Sequence, residues 1–120
     1  MNNATLARIG TVLYALIIGT FGVLHYMNAS GMAPLVPTFI PPAGTFWIYI
    51  TGTCLILAAI SILINKYSRL AGILLGIMLL IFVLTIHLPN HLHGDSGALS
   101  MILKDTGLAG CAFIIASRGK

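Results

Sequence analysis

Apolar side chains run along this chain in four long blocks, residues 6–27, 45–64, 70–88 and 99–117, separated by short polar or proline-rich stretches. Each block is close to the roughly 20 residues that a helix needs to cross a hydrocarbon core of about 30 Å. Inside lipid the backbone must satisfy its own hydrogen bonds, which leaves helices or a closed barrel, and these blocks lack the alternation of barrel strands. The pattern predicts an all-α membrane protein. Its 120 residues form one domain, a four-helix transmembrane up-and-down bundle.

The polar positions orient the bundle. Arg8, Lys66, Arg69, Arg118 and Lys120 fall at one end, whereas the two connections at the other end, 28–44 and 89–98, contain no Lys or Arg. The positive-inside rule then places both termini in the cytoplasm. Phe39, Phe46, Trp47 and Tyr49 mark the outer interface and Tyr67 the inner one. The connection 28–44 is unusually apolar and holds prolines 34, 37, 41 and 42. Proline favours extended backbone here, so the segment is expected to lie over the outer mouth of the bundle, as a lid or an interfacial strap. Small residues supply helix contacts: Gly19 and Gly22 in the first helix, Gly72 and Gly76 in the third, Gly107 and Gly110 in the fourth.

Composition removes several function classes. Hydrophobic residues make up 58%, charged residues 7%, and the mean hydropathy is +1.04. A soluble globule carries about 25% charged residues, so that class is excluded. The net charge of +4 comes from scarce acids, with no Glu at all, and six scattered cations do not make a nucleic-acid groove. A small multidrug transporter has similar length but depends on a membrane-embedded Glu, which is missing. Cys54 and Cys111 occupy different blocks rather than a C-x-x-C pair, so dithiol exchange is disfavoured and both read as small packing residues. The first block is read as an uncleaved helix, because Met27 and Asn28 stand where a signal peptidase wants a small residue.

Candidate chemistry gathers in the outer half. Lys104 and Asp105 lie inside the fourth block, about 8 Å deep, and a charge at bilayer depth persists where it is paired, faces a bundle interior or works. Adjacent helical positions point about 100° apart, so at least one of the two needs a partner from another helix. For Asp105 the candidates are His25, His87 and Tyr26. For Lys104 they are Asp95, loop carbonyls, or an oxygen of an anionic or quinone ligand. A polar clasp joining the first, third and fourth helices is the structural alternative. His25 and His87 on different helices also fit the pattern of haem ligands, but interfacial histidines are common and a haem is not expected. The run of His87, His91, His93 and Asp95 has metal-ligand chemistry. Pro89 is expected to break the helix, so His87 and His91 need not share a face, and the run reads as a solvated loop.

Five motifs carry a family resemblance: FGVLH at 21–25, VPTFIPP at 36–42, FWIYITG at 46–52, FVLTIHLP at 82–89 and LKDTGLAG at 103–110. Together they resemble, in order and over nearly the whole chain, the DoxX family of small four-helix membrane proteins. The resemblance implies a bacterial inner-membrane protein tied to redox metabolism, with relatives that include subunits of thiosulfate:quinone oxidoreductase. It points to His25, Lys104 and Asp105 as site positions, with Asp105 standing where many members carry Asn. The leading expectation is therefore a quinone-linked redox subunit. Lys104 or His25 would hydrogen-bond a quinone carbonyl, Asp105 or His87 would pass the proton, and Tyr26 and Trp47 would sit beside the head group. No flavin fingerprint, Fe–S ligand set or dithiol is present, so electrons must come from a partner subunit, a soluble redox partner or a bound cofactor. The other expectation is a non-enzymatic assembly module or binder of a small lipophilic ligand. Four short helices enclose little volume, so a homo-oligomer or larger membrane complex is expected in either case.

Overall fold

The computed structural model of the chain describes residues 2–32, 34 and 44–120. Helix α1, Asn3–Met27, starts where the Asn2 side chain accepts the Thr5 backbone N–H at 2.8 Å. Such a cap satisfies one of the orphan donors of a first turn. The helix ends where both the backbone and side-chain nitrogens of Asn28 donate to the Leu24 carbonyl. A single turn, α2 (Ala29–Met32), follows. Of the connection 28–44 that the sequence reads as a strap, residues 28–32, 34 and 44 are described, and the rest lies outside the described residues. Helix α3 runs Gly44–Ile64 and α6 runs Ala98–Arg118.

Between them stands a rod that changes winding. Helix α4 (Ser68–Phe82) passes into a π-helical turn, Val83–His87, and then into α5, Leu88–Leu92. The sequence reading ends this helix at Leu88, before Pro89, but the structure carries the rod through to Leu92. The Leu88 N–H reaches back five residues to the Val83 carbonyl, widening the turn just before the proline. Pro89 then falls in the first turn of α5, where a missing N–H costs nothing.

The four long helices, with α4 to α5 counted as one span of Ser68–Leu92, are each long and apolar enough to cross a membrane. The protein is an all-helical, multi-pass membrane protein with up-and-down order, and the described residues contain no strand.

Packing divides the bundle into two tight pairs, α1 with α3 and α4 with α6, joined more loosely through α3 and α4. Glycines set both pairs. A Cβ on Gly22 would stand 2.8 Å from the Gly52 carbonyl oxygen, and one on Gly52 would stand 3.0 Å from that of Gly22. A Cβ on Gly72 would meet the Ala112 carbonyl oxygen at 2.8 Å, and one on Gly76 would enter the Phe113 ring. Without a hydrophobic drive between helices in lipid, such close backbone approach is the main source of association. Gly72 and Gly76 thus pack inside the bundle. Gly107 and Gly110, expected to do the same, have no neighbour within 4 Å of an added Cβ. Cys54 and Cys111 are likewise exposed rather than packed. On a lipid-facing surface a small weakly polar residue costs little, so composition alone does not tell the two faces of such a helix apart.

The α3–α4 turn is held by side chains. Asn65 and Tyr67 both adopt left-handed backbone conformations, at φ 52° and 57°. The buried Ser68 hydroxyl donates to Asn65 Oδ1 at 2.6 Å and accepts the Lys120 N–H at 3.1 Å. Arg8 donates to the Leu63 carbonyl at 2.8 Å, satisfying one of the last carbonyls of α3.

The Gly52→Val variant should lose about 1–3 kcal/mol of stability from overpacking at the α1/α3 crossing. Gly107→Ala should stay within about 0.5 kcal/mol of the parent. Reversible unfolding in mixed micelles checks both, and equal losses would mean that α1 and α3 do not cross at Gly52.

Candidate functional site

The Asp105 side chain projects from the second turn of α6 and is only 7% exposed. Its Oδ2 lies 2.9 Å from His87 Nε2, on the neighbouring rod. The π turn brings this about: it ends at His87, and the extra residue in the winding resets the direction of the side chains that follow Val83. An ionised carboxylate can only accept, so Nε2 then carries the proton of this bond. A protonated Asp105 could donate to a bare Nε2 instead, and either arrangement keeps the two groups joined.

Lys104 completes the group from the same helix. Its Nζ stands 3.3 Å from Asp105 Oδ1 and 5.0 Å from the centre of the Phe21 ring on α1. The ring face attracts the cation, so Lys104 ties α6 to α1 as well as to its neighbour in sequence. Its side chain remains 44% exposed. Three ammonium donors therefore share one carboxylate oxygen and one ring face among the described residues.

The remaining sequence candidates separate from this group. Of the three partners considered for Asp105, only His87 bonds to it. His25 Nδ1 lies 2.6 Å from the Phe21 carbonyl one turn back on its own helix. A carbonyl only accepts, so Nδ1 carries the proton and Nε2 is the free acceptor in the neutral ring. Tyr26 hydrogen-bonds to Thr53 and packs at a tilt against Tyr49, its ring centre 5.3 Å away, on the α3 side. Trp47 packs edge-on against Phe46, and its Nε1 is buried with no hydrogen-bond partner among the described residues. Asp95, considered for Lys104, instead accepts the Gly97 N–H at 2.9 Å just before α6. One oxygen of its short side chain is engaged in that local turn. Among the described residues no three His, Cys, Asp or Glu side chains converge as a metal site would require.

One functional-looking residue escaped the sequence reading. Tyr14, buried midway along α1, donates its hydroxyl to the Leu108 carbonyl of α6 at 2.6 Å. The available signal was a lone phenol in an apolar block, since a hydroxyl at that depth has to find an acceptor within the protein.

A cavity formed by the described residues lies elsewhere. It occupies about 760 Å³ between α1 and α6, at the end that carries the chain termini, and neither Lys104, Asp105 nor His87 lines it.

Residues 14–102 match the model of a family described as Domain of unknown function (DUF8561). The chain belongs to this family. The matched span takes in His25, Tyr26, Trp47 and His87 and stops two residues before Lys104. No curated protein and no solved structure matches the chain.

Removing the carboxylate should cost more than removing the ammonium. Asp105→Leu leaves the part-buried His87 without its hydrogen-bond partner and should destabilise the bundle by about 1–3 kcal/mol. Lys104→Gln, at a half-exposed position, should cost under about 1 kcal/mol. Unfolding of the two variants in the same micelle would contradict this site if the order reversed.

Proposed function

We propose that this protein is a DoxX-like subunit of a quinone-linked redox assembly in the bacterial inner membrane. The observation that carries the reading is the buried Asp105 carboxylate, bonded to an imidazole on a second helix and paired with a half-exposed lysine. A proton can reside on either side of the His87–Asp105 bond without breaking it, as delivery to a reduced quinone oxygen requires. The donors of Lys104 beyond its contact with Asp105 suit a quinone carbonyl, and the acceptor Nε2 of His25 and the Nε1 of Trp47, which has no partner among the described residues, lie towards the same end. Two electrons and two protons convert quinone to quinol. The protons would pass through Asp105 and His87, and the electrons would come from a partner subunit or a soluble redox protein. The five DoxX-like motifs support the assignment. The gathering of Arg8, Lys66, Arg69, Arg118 and Lys120 at the opposite end supports cytoplasmic termini, which puts the polar group in the outer leaflet.

A second reading has its own observation. His87 and Lys104 each pair with one oxygen of Asp105, and the cavity between α1 and α6 is lined by none of the three. In a non-enzymatic assembly module or lipophilic-ligand binder they would serve only as a clasp from α6 to the rod and α1.

Quinone content decides between the two. The redox reading expects quinone to copurify with the protein and retention to fall about tenfold or more in Lys104→Ala, the loss expected for a hydrogen bond to a charged group. Turnover by the assembled complex that survives both Lys104→Ala and His25→Ala would sink it. The clasp reading expects Lys104→Met with Asp105→Leu to be more stable than Asp105→Leu alone, because no charge is left unpaired.

A further inference from the structure

We infer that the cavity between α1 and α6 is a binding groove for one anionic phospholipid, its phosphate held by Arg8 and Arg118 and an acyl chain laid along the groove. This inference is independent of the redox reading and concerns the other end of the bundle.

The groove exists because α1 is committed to α3 and α6 to α4, so the α1–α6 seam closes only where side chains bridge it. Tyr14 and Leu108 make one bridge, and Phe21 and Lys104 another, nearer the far end. Beside and below this first bridge the seam is open. Its walls are mostly apolar, with Gly10, Leu13 and Ile17 on α1, Ile114 and Ile115 on α6, and Ile62 at the base, and the hydroxyls of Thr11 and Tyr14 that also line it are bonded to backbone carbonyls. Its volume of about 760 Å³ falls in the range of sites that take small organic ligands, about 300–1,000 Å³.

Length and charge together select the occupant. From Arg8 to Ile17 the α1 wall runs about 14 Å at 1.5 Å per residue, close to half of a roughly 30 Å hydrocarbon core. The groove therefore spans one leaflet. Its charged lining sits at one end, where Arg8 and Arg118, with Asn65 and Ser68, contribute to the walls. Asn65 and Ser68 are bonded to each other, and Arg8 spends one nitrogen on the Leu63 carbonyl. The fork of Arg8 keeps further donors, and Arg118 makes no side-chain hydrogen bond among the described residues. The two side-chain carboxylates of the whole chain, Asp95 and Asp105, are at the opposite end. Two guanidinium groups at headgroup level that form no salt bridge among the described residues call for an anion, and guanidinium matches phosphate geometry. An apolar tail about one leaflet long extends from that anion. Those two requirements describe a phospholipid with net negative charge.

The test uses the full chain, stripped of lipid in detergent and exposed to equal amounts of phosphatidylglycerol and phosphatidylcholine with identical acyl chains. Native mass spectrometry counts what is retained. Two basic residues near an anionic headgroup should favour phosphatidylglycerol by roughly thirtyfold. Arg8→Gln with Arg118→Gln should erase the preference, and Arg118→Gln alone, which disturbs no described hydrogen bond, should weaken it. Gly10→Leu adds a side chain where a Cβ meets nothing within 4 Å, and should reduce retention of both lipids with helix content unchanged. Equal retention of the two lipids, or undiminished preference in the double variant, would overturn the inference. Displacement by millimolar inorganic phosphate would overturn it too, since the site would then be one for a free anion. So would a quinone or a second copy of the chain in place of the lipid, lost in Gly10→Leu but indifferent to the arginines.

Discussion

Backbone-to-backbone contact at glycine organises this bundle. Where Gly22 meets Gly52 and Gly72 meets Ala112, helices approach to the limit that a missing Cβ allows. In lipid no hydrophobic force pulls helices together, so these contacts decide which neighbour each helix prefers. They commit α1 to α3 and α6 to α4. The fourth side of the bundle, between α1 and α6, is left to side chains, and its character changes along its length. It is bridged by a phenol and a cation in the middle and upper part and open below. The polar group and the groove are thus two products of one packing asymmetry.

The π turn plays a comparable part within a single helix. A carboxylate buried in α6 would be untenable without a partner, and the nearest donor in sequence, Lys104, is too exposed to shield it alone. One widened turn before Pro89 lets the rod continue and delivers an imidazole to 2.9 Å. The proline and the histidine are therefore parts of the same solution. Pro89 is accommodated because the turn before it is wide, and that turn ends on the residue that pairs with Asp105.

Much of this was legible in the sequence. Four apolar blocks of spanning length predict the helices, because length and hydropathy are sufficient where the solvent is lipid. Lys104 and Asp105 stand out because charge is so scarce in those blocks. The partner of Asp105 was narrowed to three residues but not chosen, since the choice depends on helix rotation, and one π turn alters rotation without leaving a composition signal. Pro89 misled for the same reason: a proline that terminates a helix and one that starts a new turn read alike. Tyr14 was overlooked because a tyrosine in an apolar block looks like bulk until its hydroxyl is followed to an acceptor. The faces of Cys54, Cys111, Gly107 and Gly110 were undetermined because core and lipid surfaces are equally apolar.

The pairing of helices also has a temporal side. Each tight pair joins helices that follow one another in the chain, so its contacts are local and can form as soon as its second helix is in the bilayer. The Tyr14–Leu108 bond spans 94 residues and has to wait for α6. Between those two moments α1 and α3 already stand as a packed hairpin whose Tyr14 hydroxyl lacks its final acceptor. The last helix to arrive is thus the one that relieves a polar debt left by the first, and the mature bundle is recognisable by a single phenol whose hydrogen bond closes the circle of four.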